Sequence, residues 1–350
     1  MNDRANTARS FELAAALPEH LALGADVART LRRLPQASDI DNILILGMGT
    51  GRTAGLVMRA LTVAVIAVPI LVESSYELPA CIGSRSLVIA LSGSGNTDEV
   101  NHAAATAAER GARLVAVTSG GWLADFAGDH GGVIIPIPTE IQPARATFGF
   151  MVGGLMGVFE QTGLLRAATQ WIDTAHTQLC LRRHELHAHA NVATRLAESL
   201  VERHVTCQGD TPIGGAAASR WKTQLNQTAR QPASISFQPD ASHNEVVAWD
   251  SCNPLMGEAV VLLRHPYENQ RVSRLMDLWT QYLDGKVAVH TVRGAGETRC
   301  AALLDLIMIG DFTALHIADA RALNPNDVPY ISQTVKEGFA PPQRLRARDD

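Results

Sequence analysis

The octapeptide Ser92-Gly93-Ser94-Gly95-Asn96-Thr97-Asp98-Glu99 follows directly on an apolar run, Leu87 to Leu91. An alanine-rich stretch, Asp98 to Arg110, comes next. The pattern reads as strand, tight loop, helix. Glycines free backbone N–H groups for contact, and a helix start favours an anion. Ser92, Ser94 and Thr97 add hydroxyl donors suited to a tetrahedral phosphate. So dense a run of small donors predicts a phosphate-ester site, and it confines the chain to folds that end a strand on such a loop.

A second glycine-rich loop lies upstream. Ile43 to Leu46 runs into Gly47-Met48-Gly49-Thr50-Gly51, and a helical stretch follows to about Leu61. Read from Gly49 it fits G-x-G-x-x-A, with Glu73 ending the next apolar run, which is a dinucleotide fingerprint. Dinucleotide folds have no need of the second, hydroxyl-rich loop, so the dehydrogenase reading falls behind the phosphate-ester one.

The same alternation covers both halves of the chain. In the first, a helix is predicted over residues 10 to 34, then strands at 65–72, 87–91, 114–118 and 133–137, and a long apolar helix over 144–165. Residues 171 to 204 read as more polar helix. The second half resumes with strands at 205–208, 234–237, 259–263 and 287–292. Helices are predicted over 216–229, 270–283, 301–323 and 328–338. Strand–helix repetition of this kind defines an α/β fold with parallel sheets. The length, 350 residues, suits two such domains. The tail after Gly338 reads as loose.

Charge and composition narrow the function classes. Hydrophobic residues make up 46% of the chain, charged residues 19%, and the formal net charge is −5. A nucleic-acid binder held by a broad basic surface is disfavoured. No leader-like apolar core opens the sequence, and the run Ala64 to Val72 is too short for a bilayer, so neither membrane insertion nor export is expected. The five cysteines are scattered without C-x-x-C spacing, as in a reducing cytoplasm. His184, His187 and His189 lack an acidic or Cys partner at ligand spacing and read as a solvated helix face, so no metal is expected.

The motifs, taken together, resemble one family. S-x-S-G-N-T-x-E after a strand is similar to the sugar-phosphate loop of the sugar isomerase (SIS) domain. G-M-G-T-G resembles the first loop of the bifunctional phosphoglucose/phosphomannose isomerases. Further likenesses are Gln142 to Phe150 (Q-P-A-R-A-T-F-G-F), Arg220 to Arg230 (R-W-K-T-Q-L-N-Q-T-A-R) and Ser242 to Trp249 (S-H-N-E-V-V-A-W). The series closes with I-G-D-F-T-A-L-H-I-A from Ile309 and N-P-N-D-V-P-Y-I ahead of Lys336. The resemblance implies two SIS-type domains, each a parallel sheet flanked by helices. The first occupies 1–168 with a leading helix, 169–190 is a helical connector, and the second occupies 191–350.

The activity implied is aldose–ketose isomerisation of hexose 6-phosphates through a cis-enediolate, without metal or cofactor, in a cytoplasmic homodimer. By the same resemblance Ser92, Ser94 and Thr97 bind the phosphate, and Thr50 and Gly51 form the first-loop pair. Gly51 stands where the family has Ser. Arg145 lies over the enediolate, since a guanidinium meets a developing oxyanion without losing its proton. His243 opens the sugar ring from the neighbouring subunit, as an imidazole can near neutral pH. Lys336, one of only three lysines, lies close to the ring. Gln227 occupies the position of the family's base glutamate, and an amide is no general base. Arg230 and Thr228 also depart from the family's Lys and Asn. Glu245 is a possible substitute base. A sugar-phosphate-binding protein that senses or partners, without turnover, is therefore the competing expectation.

Overall fold

A computed structural model describes residues 3–250 and 257–327. The first half holds a five-stranded parallel sheet. Its strands are β1 (Asn42–Gly47), β2 (Ile70–Glu73), β3 (Ser86–Leu91), β4 (Arg113–Thr118) and β5 (Val133–Pro136), in the order β2-β1-β3-β4-β5. The second half holds β6 (His204–Asp210), β7 (Ala233–Gln238), β8 (Glu258–Arg264) and β9 (Ala288–Arg293), in the order β7-β6-β8-β9. All neighbours are parallel. Strands β1, β3, β4 and β8 are buried apolar runs because helices cover both faces. Each sheet reverses its winding at its second and third strands, β1/β3 and β6/β8, where an α/β sheet opens a crevice at its carboxyl edge.

The helices are α1 (Asp3–Ala15), α2 (Leu17–Arg29), α3 (Thr50–Thr62), α4 (Asp98–Glu109), α5 (Gly121–Asp129), α6 (Phe148–Gln161), α7 (Ala168–Leu186), α8 (Val192–Leu200), α9 (Ile213–Gln227), α10 (Glu245–Asp250), α11 (Gln270–Leu283) and α12 (Arg299–Ala320). The predicted helix over 10–34 is thus two helices. Pro18, in the first turn of α2, lacks an N–H and separates them. The predicted strand over 65–72 shortens to β2; Val65 instead bonds back to the carbonyl of Thr62 at the end of α3, and Pro69 donates nothing. Helix α5 escaped the sequence reading because it buries only Leu123 and Ala127. The predicted helix over 328–338 lies outside the described residues.

One apolar core joins the two halves, from Leu21 and Ile45 through Phe150 to Trp221 and Leu304. Each half also holds a close helix seam of its own. Along α6, Gly149, Gly153 and Gly157 lie at four-residue spacing against α2; a Cβ on Gly153 would stand 1.9 Å from the carbonyl oxygen of Leu21. Between α9 and α12, Trp221 lies over Gly310 and donates from Nε1 to the Leu306 carbonyl at 2.8 Å. Helix α12 is long and apolar enough to cross a membrane, but 94% of its apolar window is buried, as in a core helix.

Candidate active site

The two glycine-rich loops meet at the carboxyl edge of the first sheet, because β1 and β3 pair down to Gly47 opposite Leu91. The first loop turns into α3 at Thr50, with the Gly51 N–H donating to the Met48 carbonyl at 2.9 Å. Gly51 presses against the end of β3: a Cβ there would stand 2.7 Å from the Leu91 carbonyl oxygen. That contact gives a physical reason for glycine at this position.

The second loop is held by its own hydroxyls. Ser92, 3% exposed, shares a 2.8 Å hydrogen bond with Thr97 and accepts from the Gly95 N–H at 3.1 Å. Ser94 is exposed and accepts from the Asn96 N–H at 3.2 Å. Gly95 has a φ of +67°, and a Cβ on it would lie 1.8 Å from the Gly120 carbonyl oxygen. Only glycine closes this turn. Ser119 fixes the other side, donating to the Gly93 carbonyl at 2.6 Å.

Two further candidate residues lie on segments that abut these loops. Arg145 sits in a short 3-10 turn, Ala144–Thr147, at the entry to α6. A Cβ on Gly93 would be 3.3 Å from the Ala144 Cβ, so the turn touches the second loop. Gln227, the last residue of α9, reaches the first loop: a Cβ on Gly49 would be 3.7 Å from its Nε2.

The Arg145 side chain enters a cavity of about 40 Å³ shared with Ser10, Arg220, Gln224, Thr228 and Asp311. Its Nη1 donates to the Pro325 carbonyl. Burial, then the like charges of Arg220 and Arg230, push its pKa down to about 10. It keeps its charge at neutral pH.

The remaining candidates lie elsewhere. His243 is exposed on the 3-10 turn Asp240–His243 that follows β7, and it does not line the cavity. Glu245 accepts from the Ser236 hydroxyl at 2.8 Å, which ties its carboxylate to β7. Lys336 lies outside the described residues. His184, His187 and His189 all face solvent. Arg220 and Asp311 fall within two of the sequence motifs, whose spacing does not show that they meet; the structure joins them in a buried ion pair at 2.8 Å.

The chain as a whole is similar to known proteins. The SIS domain profile matches residues 38–150, and that of the bacterial phospho-glucose isomerase C-terminal SIS domain matches 189–337. Among solved structures, the C-terminal domain of glucosamine-fructose-6-phosphate aminotransferase from Francisella tularensis superposes with a TM-score of 0.67 at 11% identity, covering 93% of this chain and all of that one (100%). The two profiles define a two-domain SIS protein whose second half is of the bacterial phospho-glucose isomerase type. The bifunctional phosphoglucose/phosphomannose isomerase of Caldicellulosiruptor bescii is 30% identical over 92% of this chain and 96% of its own length. The chain belongs to the bifunctional phosphoglucose/phosphomannose isomerase family. A D-glucosamine-6-phosphate 4-epimerase from Sulfolobus acidocaldarius is 27% identical over 63% of this chain and 68% of its own.

Proposed function

We propose that the protein interconverts an aldohexose 6-phosphate, glucose or mannose, with fructose 6-phosphate through a cis-enediolate, and does so slowly. The carrying observation is the meeting of both glycine-rich loops with the Arg145 turn and the end of α9. Ser92, Ser94 and Thr97, with Thr50 and Gly51, grip the phosphate. Its C1–C2 end extends toward Gln227, and Arg145 turns from Pro325 to meet the enediolate oxygen. His243 of the partner subunit and Lys336 open the ring, in a cytoplasmic homodimer working without metal or cofactor. The missing element is a carboxylate at position 227. A positioned general base contributes roughly two to four orders of magnitude, so turnover falls by about that much without one.

A second reading is favoured by that same amide: a protein that binds hexose 6-phosphates without isomerising them. A coupled assay that starts from fructose 6-phosphate and follows glucose 6-phosphate and mannose 6-phosphate separates the two. Product above the uncatalysed background supports the isomerase. Saturable binding with no product in either direction supports the second reading.

A further inference from the structure

Two residues from opposite ends of the C-terminal half meet beneath the Arg145 turn. Arg220 of α9 is 2% exposed and Asp311 of α12 is 6% exposed. The guanidinium donates from Nε to Asp311 Oδ1 at 2.9 Å and from Nη2 to Oδ2 at 2.8 Å. The same Nη2 also donates to the backbone carbonyl of Arg145 at 3.1 Å. The guanidinium lies 4.5 Å from the ring centroid of Phe148, three residues on. Its last nitrogen, Nη1, is buried and has no hydrogen-bond partner among the described residues.

A buried ion pair of this kind is a poor source of stability, because desolvating both charges offsets most of their attraction. What a planar fork does supply is direction. Here one guanidinium is fixed by a carboxylate, stacked on an aromatic ring and bonded to the peptide of the residue that carries the site's cation. Both supports are rigid. Trp221 locks α9 onto α12 next to Arg220, and Gly310 precedes Asp311 under that indole. The charges near Arg145 are Arg220 and Asp311 across the cavity and Arg230, itself paired with Asp327 at 2.9 Å. The cavity lining holds two guanidiniums, Arg145 and Arg220, and one carboxylate, Asp311, so it carries an excess of positive charge.

We infer that Arg220 and Asp311 are positioning residues: they hold the turn that aims Arg145, and with it the anion-stabilising centre of the site. The inference rests on the isomerase reading for the identity of that anion. A displacement of about 1 Å at a reacting centre costs on the order of 10²-fold in rate, and one lost oxyanion donor about 10²–10³-fold.

The test compares two ligands, fructose 6-phosphate and a 5-phospho-aldonohydroxamate, whose anionic head imitates an enediolate. Both are measured by calorimetry on the wild type and on the Arg220→Met/Asp311→Leu variant, with melting curves recorded alongside. The paired change removes both charges and leaves neither partner buried alone. Fructose 6-phosphate affinity is expected to stay within a few-fold, since the loops are untouched. Hydroxamate affinity is expected to fall by about tenfold to a hundredfold. In a wild type that turns over, kcat falls in parallel at nearly constant KM. A folded variant with an unchanged affinity ratio overturns the inference, as does a wild type with no preference for the hydroxamate. If the paired variant does not fold, Arg220→Lys is used. It keeps the charge and lacks the fork, so the same loss of ratio is expected, and an unaltered ratio again overturns the inference. A wild type that binds both ligands without turnover removes the isomerase reading and leaves the affinity ratio to decide this one.

Discussion

The side-chain amide of Gln227 faces Gly49: a Cβ on that glycine would stand 3.7 Å from Gln227 Nε2. The end of α9 therefore closes on the first glycine-rich loop. Gln227→Glu changes almost no volume and puts a carboxylate at this point. Isomerase turnover is expected to rise by on the order of 10²-fold or more. Initial rates with fructose 6-phosphate, wild type against variant, decide it. An equally fast wild type would show that another residue is the base, with Glu245 examined next.

The second loop separates its hydroxyls by role. Ser92 and Thr97 are bonded to each other at 2.8 Å, whereas Ser94 is exposed. A hydrogen bond to a charged group contributes about 1.5–3 kcal/mol. Ser94→Ala is expected to weaken hexose 6-phosphate binding about tenfold or more, with little change in melting temperature. Unaltered affinity by calorimetry removes the phosphate assignment.

What the sequence made legible follows from what is local. Strands β3 and β4 are fully or nearly buried and stand out as apolar runs, and the loop after β3 announces itself by composition. Helix α11 is found at its observed bounds because its apolar face repeats cleanly. Helix α5 has too few buried positions to mark a period. The Arg220–Asp311 pair spans 91 positions, and only the packing of α9 on α12 brings it together. The role of His243 rests on the family resemblance, since the residue is exposed here.

Gly51 offers a steric test. Restoring the family's serine by Gly51→Ser sets a Cβ 2.7 Å from the Leu91 carbonyl oxygen, where backbone faces backbone. Overpacking of this kind costs about 1–3 kcal/mol. A lower melting temperature is expected, without tighter hexose 6-phosphate binding. Tighter binding at unchanged stability would contradict the packing argument.

Within six residues of His243 along the chain, two large apolar side chains are exposed, Phe237 at 37% and Val247 at 67%. The protein is expected to be a homodimer by light scattering, and Val247→Glu is expected to weaken the dimer and lower turnover per subunit. A fully active monomer would dismiss the shared site.

Arg145 is expected to set an upper pH limit on anion binding. Burial, with Arg220 and Arg230 nearby, pushes its pKa down to about 10 from 12.5. The sign follows from its being a cation. Between these two values the unfolded chain holds a proton that the folded chain gives up, so this group's contribution to stability rises with pH there. Binding runs the other way, because the neutral guanidine loses its attraction for an enediolate. Affinity for an anionic enediolate mimic should therefore fall as pH rises through about 10. Arg145→Met is the control for any other group that acts in alkali. In that variant the mimic binds weakly at every pH, and the component of the alkaline fall assigned to Arg145 is absent. An identical alkaline fall in both proteins would assign it to another group.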